Sequence, residues 1–147
     1  MDSPTETPVM NIRTAKIGDA GTIAEIHVRS WQQAYAGIVS QEHLDGLSIE
    51  QRRDQWRHNL SERKGFRTYA AEVDGTVVGF VSVGDSRDDD APPNTAQVTA
   101  IYLCPDRWRH GVGRALWKKA CAYASQGGAV TVTAWVLEEN DSARALL

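Results

Sequence analysis

The feature that limits the fold most is a change of hydrophobic period in the middle of the chain. Thr68–Val73 and Thr76–Gly84 are rich in β-branched and aromatic residues, and Asp74-Gly75 between them is a two-residue hairpin signal. Helical patterns flank this pair. On the N-terminal side Asn11–Thr14 suits a short strand, and Asp19 suits the N-cap of a helix ended by Gly37. Ile23, Ile26, His27, Ser30, Trp31, Ala34 and Tyr35 fall on one face of that helix. Ser48 and Gln51 then stand in capping-box spacing before a second helix, Arg52–Leu60. On the C-terminal side an acidic loop, Asp85–Thr95, leads to a strand, Ala96–Leu103, that stops before Pro105. Gly111–Ser125 is a helix striped by Val112, Ala115, Leu116, Ala120, Tyr123 and Ala124, and Gly127-Gly128 ends it. Ala129–Leu137 reads as a strand buried on both faces, and Glu138–Leu147 opens a last helix. Such an order gives an α+β domain with a mixed sheet.

With 147 residues, the chain suits a single domain able to bury a core without disulfides or a structural metal. Residues 1–10 are polar, contain proline and lack an apolar run, so they read as a disordered tail ahead of one domain over 11–147. Cys104 and Cys121 share no metal-ligand spacing, and the four histidines form no HExxH pair, so no metal site is expected. A net charge of −3 gives no footprint for nucleic acid, and no apolar stretch approaches the length of a membrane span. A cytoplasmic location is the expectation.

Chemistry concentrates in residues 95–117, TAQVTAIYLCPDRWRHGVGRALW. A strand runs into a turn, and Arg109, His110, Gly111, Val112, Gly113 and Arg114 open a helix. Successive N–H groups at a helix N-terminus make a phosphate site, and glycines let the ligand approach the backbone. A dinucleotide fingerprint would want a third glycine where Leu116 stands, and a Walker A loop would need Gly-Lys-Ser/Thr. The alternative reading of a bare glycine pair is helix-start packing.

In strand, proline, turn and glycine spacing, this block resembles the coenzyme A signature of the GNAT acetyltransferase superfamily. Ile101-Tyr102-Leu103, Pro105, Arg109 to Arg114 and Leu116 match its Gln/Arg-x-x-Gly-x-Gly/Ala pattern in order, with Trp108 standing at the first motif position. TVTAWVLEENDSARALL is similar to the family's following strand and its Asn-x-x-Ala, and residues 27–56 look like its amine-side helices. The resemblance implies a central mixed, mostly antiparallel sheet flanked by helices, with acetyl-CoA as cosubstrate. It implies that the amides of Arg109–Arg114 hold the pyrophosphate of CoA, that Ile101–Leu103 pairs with the pantetheine arm, and that Asn140 contacts that arm. Asn140 serves equally well as a helix N-cap.

By the same resemblance, the acetyl group passes directly to an amine in a ternary complex, and an amide near Leu103 polarises the thioester oxygen. Many members carry a glutamate base where this chain has Gln97, which can orient a water but accepts no proton at neutral pH. Glu25, Glu72 and the carboxylates of Asp85–Asp90 are other candidates for the base. Trp31 and Tyr35 form either a wall for the acceptor or part of the core, and the acidic loop either steers a cation or is a solvated surface. Where many members have a tyrosine acid the chain has Leu147, and the family's last hairpin is not in the sequence. The expected acceptor is therefore a small-molecule amine or peptide. The edge at Ala129–Leu137 is covered either by a second copy in a homodimer or by further residues of a longer chain of which this is a piece, unless this is a shortened member of the family. A CoA-binding sensor or assembly module without turnover is the alternative.

Overall fold

The computed structural model describes residues 10–34, 40, 42, 48–62, 66–86, 91–104 and 111–134. Strand β1 (Met10–Thr14) leads through a single 3-10 turn, Ile17–Asp19, into helix α1 (Ala20–Ala34). Helix α2 (Ile49–Glu62) follows, then β2 (Phe66–Val73), β3 (Thr76–Asp85), β4 (Thr95–Leu103), helix α3 (Val112–Gln126) and β5 (Thr131–Ala134). The strands lie in the order β1-β2-β3-β4-β5. The first four pair antiparallel, and β5 joins β4 in parallel. This is the mixed, mostly antiparallel sheet and the α+β class read from the sequence.

The hairpin forms where the Asp-Gly signal put it, with positive φ at Asp74 (52°) and Gly75 (83°). Period-two alternation then divides the core between two faces of the sheet. Val81, Val83, Val98 and Leu103 pack with Leu116, Ala120 and Ala124 of α3. Ala70 and Phe80 point the other way, against Ile23, Ala24 and Ile26 of α1 and Trp56 and Leu60 of α2. Phe80, Ile23 and Leu116 are fully buried, and each stabilises the fold by about 1.5–3 kcal/mol relative to exposure.

Two expectations are corrected. Asp19 is not the N-cap of α1 but the last residue of the 3-10 turn that precedes it. Its carboxylate instead accepts from the Lys16 amide (2.7 Å) and from both terminal nitrogens of Arg13 (2.8 and 3.0 Å). Arg13 also pairs with Glu72 across the β1–β2 ladder. A charged network therefore ties the first strand to the entry of α1. Strand β5, secondly, is not buried on both faces. Within the described residues it spans only Thr131–Ala134, with Thr131 exposed and the rest half-buried, because it lies at the edge of the sheet. Residues 135–137 of the expected strand, and the expected last helix, lie outside the described residues. Ser48 does cap α2, accepting from the Gln51 amide at 3.2 Å. No helix among the described residues is long and apolar enough to cross a membrane.

Arg13 holds the Asp19 carboxyl below the usual carboxylate range. A depressed folded-state value means that the stabilisation is present above the unfolded value of about 4 and is lost as pH falls through the folded value. Asp19→Ala is expected to lower stability by about 1–2 kcal/mol at pH 7. In urea titrations the gap from the parent should close as the pH is taken well below 4.

Candidate active site

Three local structures converge along β4. The first is the entry of α3. Gly111 sits in the left-handed region (φ 87°, ψ −7°) as the N-cap residue, a conformation a side chain strains. A Cβ there would meet nothing within 4 Å, so the space before the helix is open among the described residues. The Ala115 amide is the first to reach a helical carbonyl, that of Gly111 at 3.1 Å. The amides of Val112, Gly113 and Arg114 precede it, and among the described residues no side chain caps this end. Val112 and Gly113 are buried, while Arg114 is exposed in the first turn.

The second is the outer edge of β4. Ser82 pairs with Ala100 and Val83 with Val98, which leaves Thr99 as the extra residue of a bulge. On this edge β4 is joined by β5. Its pairing runs from Thr95↔Thr131 to Val98↔Ala134 and goes no further among the described residues. The Cys104 amide bonds inward to the Val78 carbonyl at 2.8 Å, so alternation turns the main-chain groups of Ile101 and Leu103 outward. The buried Ser30 hydroxyl of α1 donates to the Leu103 carbonyl, and Trp31 Nε1 donates to the Tyr102 hydroxyl at 2.7 Å. Helix α1 is thereby pinned to the end of β4.

The third is a cleft of about 410 Å3 on the α1–α2 face, reaching the bulge at Thr99 and Ala100. Its floor holds Thr68 and Ser82, whose buried hydroxyls are 2.7 Å apart. Its wall holds Trp56, Leu60, Phe66 and His27. The His27 ring stacks on Tyr102 at 4.7 Å and meets Trp56 and Phe80 edge-on, both at 6.1 Å. Trp56 Nε1 donates to His27 Nδ1 at 3.2 Å, which fixes the neutral tautomer with its proton on Nε2. Burial first, and the Arg52 charge second, push the imidazole down to about 4.

Gly111, Val112, Gly113 and Arg114 thus share the helix entry, and Ile101, Tyr102 and Leu103 lie together at the end of β4. Gln97 is buried in β4 opposite Gly84, between Ala96 and Val98. Since both neighbours pack toward α3, its side chain faces the α1–α2 side. Trp31 rests on Tyr102 and is not among the residues lining the cleft. Tyr35, Arg109, His110, Asn140 and Leu147 lie outside the described residues. Of the candidate carboxylates, Glu72 is committed to Arg13, and Glu25 pairs with Arg29 one turn along α1 at 2.9 Å. Sequence reasoning missed the cleft residues His27, Trp56, Phe66, Thr68, Ser82 and Thr99, which come from five separated segments. His27, a polar residue on the face it shares with Ile23 and Ile26, was the one local signal. No group of three or more His, Cys, Asp or Glu placed to hold a metal occurs among the described residues.

A glycine-led helix entry of this kind suits a phosphate-bearing ligand. Residues 23–147 match the profile of the acetyltransferase (GNAT) family, and the chain belongs to that family. It is 34% identical over 134 residues to the uncharacterized N-acetyltransferase YuaI of Bacillus subtilis (strain 168), a match covering 91% of this chain and 75% of that protein. It is 24% identical over 135 residues to a spermidine N(1)-acetyltransferase of Thermoplasma acidophilum, covering 89% and 80% respectively. The fold is similar to that of the PaiA N-acetyltransferase of Thermoplasma acidophilum, solved in complex with coenzyme A. There the TM-score is 0.76 at 22% identity, over 93% of this chain and 85% of the other.

His27 yields a pH prediction. Its folded-state value lies below the unfolded one of about 6.5, so the unfolded chain takes up a proton that the folded chain refuses. Stability should therefore fall as pH drops from about 6.5 toward about 4, by up to about 3 kcal/mol at this site. In an NMR titration the His27 ring signals should stay at neutral-imidazole positions from pH 8 to 5. His27→Phe should flatten that part of the stability profile.

Proposed function

We propose that the protein transfers the acetyl group of acetyl-CoA to a primary amine, by direct attack in a ternary complex. The observation that carries this reading is the entry of α3, where Gly111 stands in the left-handed region ahead of the amides of Val112, Gly113 and Arg114, in a chain of this family. The diphosphate of CoA lies on the amides of Gly111–Arg114, joined by Arg109 and His110. The helix dipole and the arginines supply positive potential there. The pantetheine arm pairs with Ile101–Leu103, and Asn140 meets the arm from the following segment. The Leu103 amide, facing the same edge, polarises the thioester oxygen.

The acceptor enters the cleft on the α1–α2 face, so that its nitrogen reaches the thioester at the level of the bulge. An ammonium has to lose a proton before it attacks. Glu72 is held by Arg13, and His27 presents a proton at Nε2 and so cannot take one there. Gln97 orients a water that carries the proton to solvent. The new carbon–nitrogen bond then forms as the carbon–sulfur bond breaks, the nitrogen gives its second proton to solvent, and the thiolate takes one up from solvent. The acceptor is a small-molecule amine or the amine of a peptide, and no metal takes part.

Gly111→Glu puts bulk and negative charge where the diphosphate sits. Calorimetric titration with CoA should lose binding by more than about 100-fold, while the circular dichroism spectrum is retained. Unchanged affinity in that variant would refute the assignment. Gln97→Ala should slow turnover by roughly tenfold or less, short of the 10²–10⁴-fold typical of losing a true general base.

A further inference from the structure

We propose, resting on the assignment of the cleft to the acceptor, that it selects a primary amine carried on an uncharged aromatic or apolar body and discriminates against polyamines. The lining supports this choice. Trp56, Leu60, Phe66 and Ala100 offer apolar surface, the first and third of them aromatic. The lining also holds Thr14, His58, Asn59 and Thr99, and two hydrogen bonds tie together further polar groups in it. Thr68 and Ser82 share one hydrogen bond, and His27 Nδ1 accepts from Trp56. None of these groups carries the negative charge that a second ammonium needs when it leaves water.

Arg67 lines the cleft too, but its guanidinium lies 5.3 Å from the centre of the Tyr123 ring, on the α3 side of the sheet. It contributes backbone to the cleft and not charge. Among the described residues, no lining side chain is a carboxylate. The ring face of Trp56 offers an ammonium some cation–π attraction, yet this is smaller than the hydration that an unpaired ammonium gives up on burial. A flat apolar group loses nothing comparable. It gains from removal of its surface from water and from offset or edge contact with the aromatic wall. The reacting amine is exempt, since it has to be neutral to attack. The spermidine-acetylating relative, at 24% identity, is therefore not a guide to this cleft.

The test compares 2-phenylethylamine with spermidine, using the whole chain loaded with acetyl-CoA. The expected result is a kcat/KM at least tenfold higher for 2-phenylethylamine. Equal or better use of spermidine would overturn the selectivity. Binding is read separately, by NMR titration of each amine into the CoA-bound protein. Shifts of the Trp56 indole and His27 ring signals with 2-phenylethylamine, and not with spermidine, support the proposal even if transfer is slow. Absence of such shifts with 2-phenylethylamine overturns it. Loss of CoA affinity itself would count against the acetyl-CoA assignment, and the amine titration repeated without CoA keeps the two failures apart. Asn59 is exposed on α2 at the cleft, so Asn59→Asp adds one carboxylate there with little risk to the fold. It should narrow the preference by about fivefold, the size of one partly exposed charge pair. An unchanged ratio would show that the acceptor does not lie against this lining.

Discussion

A β-strand must have its backbone groups paired on both edges, or else leave one edge for something outside the sheet. Strand β4 is followed by β3 to Leu103 on its inner edge and, among the described residues, by β5 to Val98 on its outer edge. The bulge at Thr99 comes next and raises the local twist there. Much else is arranged around this strand. Helix α3 begins with Gly111 in a left-handed conformation and, among the described residues, with no side-chain cap. Helix α1 is fastened to the end of β4 from the opposite face.

How much of this was legible beforehand depended on whether the signal was local. The hairpin was, because Asp74-Gly75 dictates its own turn and the flanking residues alternate on either side of it. The entry of α3 was as well, since Gly111 and Gly113 interrupt an otherwise good helical stripe at its start. The cleft was not. Trp56 read as one apolar residue on a weak helix, Phe66 fell just outside the expected strand, and Thr68 and Ser82 looked like ordinary strand residues. Their chemistry arises only when the hairpin register brings Thr68 opposite Ser82 and α2 lays Trp56 against His27. Asp19 misled for a related reason. A capping residue and a salt-bridging residue look alike in sequence, and the competing partner, Arg13, is recruited by tertiary structure. Strand β5 misled because an apolar run is equally suited to a central strand and to an edge awaiting a neighbour.

The carboxylates show how packing redistributes roles that composition leaves equal. Glu72 and Glu25 have the same side chain, but one bridges β1 and β2 through Arg13 and the other decorates the surface of α1. Neither is left near the bulge as an uncommitted base. Among the described residues, the groups nearest the proposed chemistry are an amide, hydroxyls and an imidazole held neutral by burial, and Asp88–Asp90 of the acidic loop lie outside them. A site of this kind depends more on orientation and desolvation than on stored charge.

Ser30 and His27 stand three residues apart on one turn of α1. One touches the end of β4 proposed for the cosubstrate, and the other forms the wall of the cleft proposed for the acceptor. A helix is stiff over so short a distance, so the two contacts behave as the ends of a single lever. Any tilt of α1 that loosens the grip on Leu103 also moves the imidazole stacked on Tyr102. By thermodynamic reciprocity, whatever one occupant does to the other's affinity through this rod must be returned by the same factor.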